Sequence, residues 1–199
     1  MKKGLIVAIT GQSGSGKSSV GKMYAQQGYT VVDCDRVAAE ISGESECQNK
    51  LTEHFGISIL KEGIIDKKEL SRLAFKDTQS LEALTEITHP FIIEKILKLV
   101  QDSFSKGEKV VFVDGAVIIG HSFEKYCDKI IVVTASLENQ CNRLIIRDNI
   151  TKSQAENRIF KQLSGEQMLA KADYVLHNNF TQESLMAQAQ EVLHKILQT

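Results

Sequence analysis

The eight residues at positions 11–18, Gly-Gln-Ser-Gly-Ser-Gly-Lys-Ser, match the pattern G-x-x-x-x-G-K-[ST]. The apolar run at positions 5–9, which ends at Thr10, has the length of a buried parallel strand. The residues after the pattern can form a helix that places Val20, Met23 and Tyr24 on one side. A strand, a glycine-rich loop and a helix in this order predict a phosphate-binding loop.

The chemistry expected of such a loop is anion binding. Glycines let the backbone curl so that successive N–H groups point into one concavity, and the following helix N-terminus favours negative charge. Lys17 is expected to reach the β- and γ-phosphates of a nucleotide, and the Ser18 hydroxyl to ligate Mg²⁺. The alternative is a glycine- and serine-rich turn without a ligand. The residues predicted to bind the nucleotide are Gly11, Gly14, Ser15, Gly16, Lys17, Ser18 and Ser19.

Composition excludes several classes of partner. The 199 residues carry a net charge of -1, so no broad basic surface for nucleic acid is expected. No segment approaches the ~20 apolar residues of a membrane span, and no membrane partner is expected. The four cysteines are scattered, without a C-x-x-C pair, which predicts reduced thiols rather than a disulfide frame or a zinc site. We expect a cytoplasmic protein that is a monomer or a weak homo-oligomer.

The order of the predicted elements indicates the fold class. Further strands are predicted at 30–33, 110–114, 130–134 and 172–176, with helices between them. This alternation predicts an α/β fold of three layers, in which a five-stranded parallel sheet is flanked by helices, as in phosphate-loop nucleotide-binding proteins. The core is assigned to residues 1–41 and 107–199.

Aspartates follow two of these strands. Asp33 and Asp35 stand at the end of the second strand, on the edge of the sheet where ligands bind in such folds. They could hold Mg²⁺ or accept a proton, or they could cap a helix at 37–41. Asp114 ends the strand at 110–114, which resembles a Walker B segment, so it is a candidate metal ligand beside Ser18.

Residues 42–106 are too long for a simple crossover and are predicted to be a helical insertion. The segment Asp66-Lys67-Lys68-Glu69 resembles a capping box that starts one helix, and Thr78 can start another. Pro90, the only proline, suits the first position of a further helix. His89 lies just before it, with capping, core packing or ligand binding as its possible roles.

Two predicted helices near the C-terminal third carry arginines. The first spans 136–148 and contains Arg143 and Arg147, and the second starts at a capping box, Thr151-Lys152-Ser153-Gln154, and contains Arg158. Two helices joined by a short turn indicate a helical lid over about residues 140–165. The alternative is a solvated charged face.

Taken together, the chain resembles the dephospho-coenzyme A kinases over essentially its full length. The matching segments are Thr10-Gly11, Gly14-Ser15-Gly16-Lys17-Ser18, Asp33-x-Asp35, His89-Pro90, Gln140-x-x-Arg143-x-x-x-Arg147-Asp148, Gln162, Ala172-Asp173 and Asn178-Asn179. The resemblance implies phosphorylation of the ribose 3′-hydroxyl of dephospho-coenzyme A, with ATP and Mg²⁺, and a coenzyme A-binding role for the insertion.

The same resemblance implies individual roles. Lys17, Arg143 and Arg147 would act on the phosphates of ATP, and Asp35 would receive or orient the proton of the acceptor hydroxyl. Asp33, Asp35 and His89 would bind the acceptor. The chain departs from the family where Ala39 and Gly165 replace arginines, and where Ala116-Val117-Ile118-Ile119-Gly120 replaces Pro-Leu-Leu-x-Glu.

Three other functions stay open at the level of sequence. Another small-molecule kinase, acting on a nucleoside or nucleotide, would share the architecture and differ in the insertion. A non-catalytic relative could bind coenzyme A or a nucleotide as a sensor. A GTPase-like switch is less compatible with the chain, because it contains no N-K-x-D run for reading guanine.

Overall fold

The computed structural model describes residues 4–116 and 118–198. The strands are β1 (Leu5–Thr10), β2 (Val31–Asp33), β3 (Leu60–Lys61), β4 (Ile64–Ile65), β5 (Val110–Asp114), β6 (Lys129–Thr134) and β7 (Tyr174–His177). The helices are α1 (Lys17–Gln26), α2 (Cys34–Ile41), α3 (Ser45–Phe55), α4 (Lys67–Ala74), α5 (Thr78–Ser105), α6 (Leu137–Asp148), α7 (Lys152–Phe160), α8 (Gly165–Leu169) and α9 (Gln182–Leu197). None of these helices has both the length and the apolar character needed to cross a membrane.

The predicted parallel sheet is confirmed, with the strand order β2-β5-β1-β6-β7. The central strand β1 pairs in parallel with β5, where Ile9 lies opposite Asp114, and with β6, where Thr10 lies opposite Val132. Every residue of β1 from Ile6 onwards is buried, as expected for a strand covered by helices on both faces of the sheet. The phosphate-loop sequence therefore leaves the sheet from its central strand.

Helices α1 and α9 pack on the sheet through one apolar cluster. Tyr24 of α1 stacks on Phe112 of β5, with ring centroids 4.2 Å apart, and its hydroxyl donates to the carbonyl of Ala189 in α9 at 2.9 Å. That hydrogen bond satisfies the polar end of a fully buried side chain. The sheet and both helices thus share one core behind the loop.

The chain divides into two compact units, of which one is Asp33–Leu99 and the other is the rest of the described chain. These boundaries lie several residues before those of the predicted insertion, 42–106. The smaller unit contains α2, α3, α4 and most of α5, and its buried side chains include Cys47, Leu51, Ile59 and Leu70.

The smaller unit is not purely helical, contrary to the prediction for the insertion. A one-turn 3₁₀ helix at Ile57–Ile59 leads into an antiparallel hairpin of β3 and β4. The two turn residues, Glu62 and Gly63, have φ values of 53° and 80°. Positive φ at both central positions is the conformation that two-residue hairpin turns favour. Gly63 was therefore the residue in the sequence that could have indicated this hairpin.

Pro90 does not start a helix, and this part of the prediction was wrong. Helix α5 runs unbroken through it, from Thr78 to Ser105. Proline removes the hydrogen bond to the carbonyl four residues earlier, that of Glu86. Both Pro90 and Glu86 lie on the exposed side of the helix, where water can bind that carbonyl. The apolar pattern on both sides of Pro90 therefore outweighs the loss of one hydrogen bond.

Two helices of the C-terminal third begin at capping boxes. The box at Thr151 and Gln154, predicted from the sequence, starts α7. A second box, at Ser164 and Gln167, starts the short helix α8, which the sequence analysis did not predict. Its S-x-x-Q pattern is a helix start signal, but only five helical residues follow, too few for an apolar periodicity to be recognised.

Candidate phosphate-binding site

The loop after β1 leads directly into α1, with Gly16 as the residue before the first helical position. Gly16 has φ 104°, and no side chain caps the N-terminus of α1. The first N–H groups of a helix lack partners within the helix and carry its positive dipole end. In α1 no side chain takes up these groups, although the N–H of Ser19 donates to the carbonyl of Gly16 at 3.0 Å. The N-terminus of α1 is therefore suited to binding an anion.

Three glycines of the loop are held against neighbouring segments more tightly than any side chain would allow. A Cβ atom on Gly11 would lie 2.2 Å from the carbonyl oxygen of Val133, and one on Gly14 would lie 2.6 Å from that of Gln140. One on Gly16 would lie 2.1 Å from Nδ2 of Asn178. These positions need glycine for close approach as well as for their positive φ angles.

The loop forms one wall of an open cleft of about 390 Å³. Its lining carries four basic side chains and no carboxylate, so it favours an anion. Five of the seven predicted loop residues, all but Gly11 and Ser15, therefore line one cavity together with both predicted arginines. The lining residues are Gly14, Gly16, Lys17, Ser18, Ser19, Lys22, Arg143, Ile146 and Arg147.

Arg143 is bound mainly to backbone oxygens of the loop itself. Its Nη1 donates to the carbonyl of Gly14 at 3.0 Å and to that of Ser15 at 3.3 Å, and its Nη2 donates to the carbonyl of Asn178 at 2.8 Å. Burial lowers the pKa of this guanidinium from its usual value. Arg143 thus holds the loop, while its predicted action on phosphates stays a prediction.

Arg147, one turn further along α6, takes part in a different network. Its Nε and Nη2 donate to the two carboxylate oxygens of Asp148 at 2.7 and 2.8 Å, and Nη1 of Arg158 in α7 donates to the same carboxylate at 2.8 Å. The hydrogen bond from Arg147 lowers the pKa of Asp148, and that from Arg158 lowers it further. Asp148 therefore links the two predicted lid helices.

Asp114, the candidate metal ligand of the sequence, lies close to helix α1, and its metal contact stays a prediction. It ends β5, next to the strand that feeds the loop, and its Oδ2 is 3.4 Å from the position of a Cβ on Gly21. Gly21 is three residues beyond Ser18 in α1, so the carboxylate lies beside the turn of helix that follows Ser18. No cluster of three or more metal-binding side chains occurs within residues 4–116 and 118–198. Magnesium bound with substrate phosphates needs only one or two protein ligands.

The residues predicted to bind the acceptor belong to the smaller unit. The side chain of Asp33 caps α2, since its Oδ1 accepts from the N–H groups of Asp35 and Arg36 at 2.9 and 3.0 Å. Asp35 lies exposed in the first turn of α2, and His89 lies half-buried within α5. Of the two alternatives left open for Asp33, helix capping is observed. The acceptor-binding roles of all three residues stay predictions.

Side chains to which the sequence analysis assigned no role also hold the loop. Nδ2 of Asn178 donates to the carbonyl of Ser15 at 2.7 Å. The Oε1 of Gln162 accepts from the N–H of Ser13 at 2.8 Å. Both residues are among those that the chain shares with the dephospho-coenzyme A kinases. That a residue is shared with a family does not reveal which atoms its side chain contacts.

Among the departures from that family, Val117 lies outside the described residues.

The sheet order, the loop after the central strand and the basic cleft together define a phosphate-loop kinase fold. Solved structures agree: shikimate kinase from Bacteroides thetaiotaomicron is similar in fold, with a TM-score of 0.54 over 98% of this chain and 99% of that chain at 15% identity. A dephospho-CoA kinase from Campylobacter jejuni has a TM-score of 0.72 over 98% of both chains at 24% identity. TT1252 from Thermus thermophilus reaches 0.82 over 98% of both chains at 28% identity.

Sequence comparison then narrows the class. The profile of the family described as dephospho-CoA kinase matches residues 5–183. A dephospho-CoA kinase from Fusobacterium nucleatum is 37% identical over 193 residues, covering 96% of this chain and 98% of that protein. One from Listeria monocytogenes is 32% identical over 196 residues, covering 98% of each. The chain belongs to the dephospho-CoA kinase family.

Proposed function

We propose that this chain transfers the γ-phosphoryl group of ATP to the ribose 3′-hydroxyl of dephospho-coenzyme A, the last step of coenzyme A synthesis. Membership of the family supports the reaction. The observation that carries it in the structure is the cleft in which Lys17, Arg143 and Arg147 surround an uncapped helix N-terminus. Four basic side chains with no carboxylate among them suit a triphosphate.

Phosphoryl transfer passes through a loose, in-line transition state, so catalysis consists largely of positioning and charge neutralisation. The loop amides and Lys17 hold the phosphates, and Arg147 lines the same cleft. Mg²⁺ bound by Ser18, with Asp114 beside the same helix, would neutralise further charge on the phosphates. The loop backbone is held in place before the substrate arrives, by Gln162, Arg143 and Asn178, which reduces the reorganisation needed during the reaction.

Asp35 is the proposed partner of the acceptor hydroxyl. An aspartate has a reference pKa near 3.9, far below that of a sugar hydroxyl, so it cannot remove the proton early. It orients the hydroxyl and takes the proton late, as the bond to phosphorus forms. Asp33 fixes the backbone of this residue, because its Oδ1 accepts the N–H of Asp35. Asp33 and His89 complete the proposed acceptor contacts.

Helices α6 and α7 are the proposed lid. They pack through an apolar cluster of Cys141, Leu144, Ala155 and Ile159, and Asp148 ties their arginines together. A lid that closes on ATP excludes water, which would otherwise accept the phosphoryl group. We place the reaction in the cytoplasm, in a monomer or weak homo-oligomer, with the small molecule as the substrate.

Incubation with ATP, Mg²⁺ and dephospho-coenzyme A tests this function. The expected product is heavier than the acceptor by one phosphoryl group, and ³¹P spectra place the new phosphate on the ribose 3′ position. Shikimate and adenosine serve as control acceptors, because kinases of similar fold act on other small molecules. ATP binding without any product would instead indicate a non-catalytic relative, and turnover of a control acceptor would indicate another kinase.

A further inference from the structure

Asn178 follows β7 and is nine-tenths buried, with 8% of its surface exposed. Its backbone N–H donates to the carbonyl of Thr134 at 2.8 Å, which anchors it to the end of β6. Its side-chain Nδ2 donates to the carbonyl of Ser15 at 2.7 Å, and its own carbonyl accepts from Arg143 at 2.8 Å. The side chain therefore connects the sheet edge to the phosphate loop.

The carbonyl of Ser15 is held by two donors at once. Besides Nδ2 of Asn178, Nη1 of Arg143 approaches it at 3.3 Å and also binds the carbonyl of Gly14 at 3.0 Å. Three segments thus form a closed ring of hydrogen bonds, since Arg143 bonds to Asn178 as well. Such a ring restrains the direction in which the carbonyls point.

The direction of one carbonyl determines the direction of the next N–H. A trans peptide unit is planar, and its C=O and N–H point to opposite sides. When the carbonyl of Ser15 points back to Asn178, the N–H of Gly16 points away from it, and Gly16 lines the cleft. Gly16 also packs directly on Nδ2 of Asn178, because a Cβ atom added to Gly16 would lie only 2.1 Å from that nitrogen.

We propose that Asn178 is a positioning residue that aims the N–H of Gly16 at the phosphates of the bound nucleotide. This inference rests on the proposed function, because it concerns the same phosphate-loop cleft. Asn178 itself need not touch the nucleotide. Without the donor on its side chain, the Ser15 peptide can rotate, and the N–H of Gly16 loses its fixed direction. Arg143 still donates to the carbonyl of Ser15, so the affinity for the nucleotide is reduced rather than abolished.

Binding of ADP by calorimetry tests this role in Asn178→Ala and in Asn178→Leu, which keeps the branched shape of the side chain without its donor. The bond that is weakened runs from the N–H of Gly16 to a charged phosphate, and because Arg143 still holds the carbonyl of Ser15, we expect a rise of about 10-fold in the Kd for ADP. The Kd for dephospho-coenzyme A should change by less than about twofold, because a local change rarely affects a separate site. A thermal melt identifies any variant that does not fold.

Asn179→Ala is the matched control, since the Oδ1 of Asn179 accepts from the N–H of Ser136 at 2.7 Å rather than from the loop. Its Kd for ADP should stay close to that of the unaltered protein. The amide proton of Gly16 gives a direct signature by NMR: ADP should move it downfield in the unaltered protein and much less in Asn178→Leu. A full shift and an unchanged Kd in a folded Asn178 variant would overturn the positioning role. Failure of the unaltered protein to bind ADP would overturn the proposed function instead.

Discussion

The side-chain oxygen of Gln162 accepts a hydrogen bond from the backbone N–H of Ser13, at 2.8 Å. The adjacent residues are joined as well, since Nε2 of Gln12 donates to the carbonyl of Leu163 at 3.0 Å. Two successive residues of the phosphate loop are therefore bound to two successive residues just beyond the end of α7. The shape of the loop depends on this segment as well as on its own glycines.

Replacing Gln162 by alanine should destabilise the protein, because the N–H of Ser13 loses its acceptor. A lost hydrogen bond at a half-buried site lowers the free energy of unfolding by about 1 kcal/mol. Urea denaturation at neutral pH measures the change. Gln190→Ala is the control, since its side chain bonds to Gln27 at an exposed site, and it should be close to neutral. Equal midpoints for the two variants would show that the Ser13 contact contributes nothing.

Lys17→Met should reduce kcat/KM strongly, because a donor fixed at the phosphates stabilises the transition state more than the ground state. Loss of one such electrostatic contact costs about 10²–10³ in rate. Steady-state kinetics with ATP as the varied substrate measure the loss. Lys22→Met is the comparison, as Lys22 lines the same cleft more than one turn further along α1. The decrease in kcat/KM for Lys22→Met should be much smaller than for Lys17→Met. Similar decreases in the two variants would show that the cleft attracts ATP through its overall positive charge, without a specific contact from Lys17.

Asp35→Asn should abolish most turnover while leaving ATP binding intact, because the amide cannot take the acceptor proton. Rapid-quench kinetics and ATP calorimetry separate the two effects. The control is Glu40→Gln on the same helix, an exposed carboxylate paired with Arg36 at 3.0 Å. Unchanged turnover in Asp35→Asn would remove its proposed role in the transfer.

The pH dependence of stability should reveal the Asp148 network. Arg147 and then Arg158 lower the pKa of Asp148 below its ordinary value of 3.8. A carboxylate with a lowered pKa in the folded state stabilises the protein above its ordinary pKa, and this contribution disappears as the pH falls through the lowered value. The difference in unfolding free energy between the unaltered protein and Asp148→Asn should therefore be constant at neutral pH and vanish at acid pH.

The parallel sheet and the loop that follows its central strand were predictable because their signals are local. The glycine pattern, the buried strands and the capping box at Thr151 each need only a short stretch of chain, and all were recovered in the structure. The capping alternative for Asp33 was also visible from its position before α2. Local rules failed at Pro90, where packing along a long helix outweighs the preference of one residue.

The supports of the site were not predictable, because they join residues that are distant in sequence. The contact between Asn178 and Ser15 spans 163 residues, and that between Arg143 and Gly14 spans 129. An arginine on a predicted lid helix suggests a phosphate ligand, whereas the structure shows its guanidinium on backbone carbonyls. Only the folded arrangement of α6, β7 and the loop reveals which carbonyl each donor meets.

The crowding around the three loop glycines limits how this segment can change during evolution or engineering. A methyl group on Gly11 or Gly14 would collide with the carbonyl oxygen of Val133 or Gln140, and no second-site mutation of a side chain removes a backbone atom. At Gly16 the obstacle is the amide of Asn178, which a shorter residue would clear, yet the backbone there keeps a φ of 104° that alanine resists. Suppressor screens that start from the Gly11→Ala or Gly14→Ala variant should consequently return only true revertants.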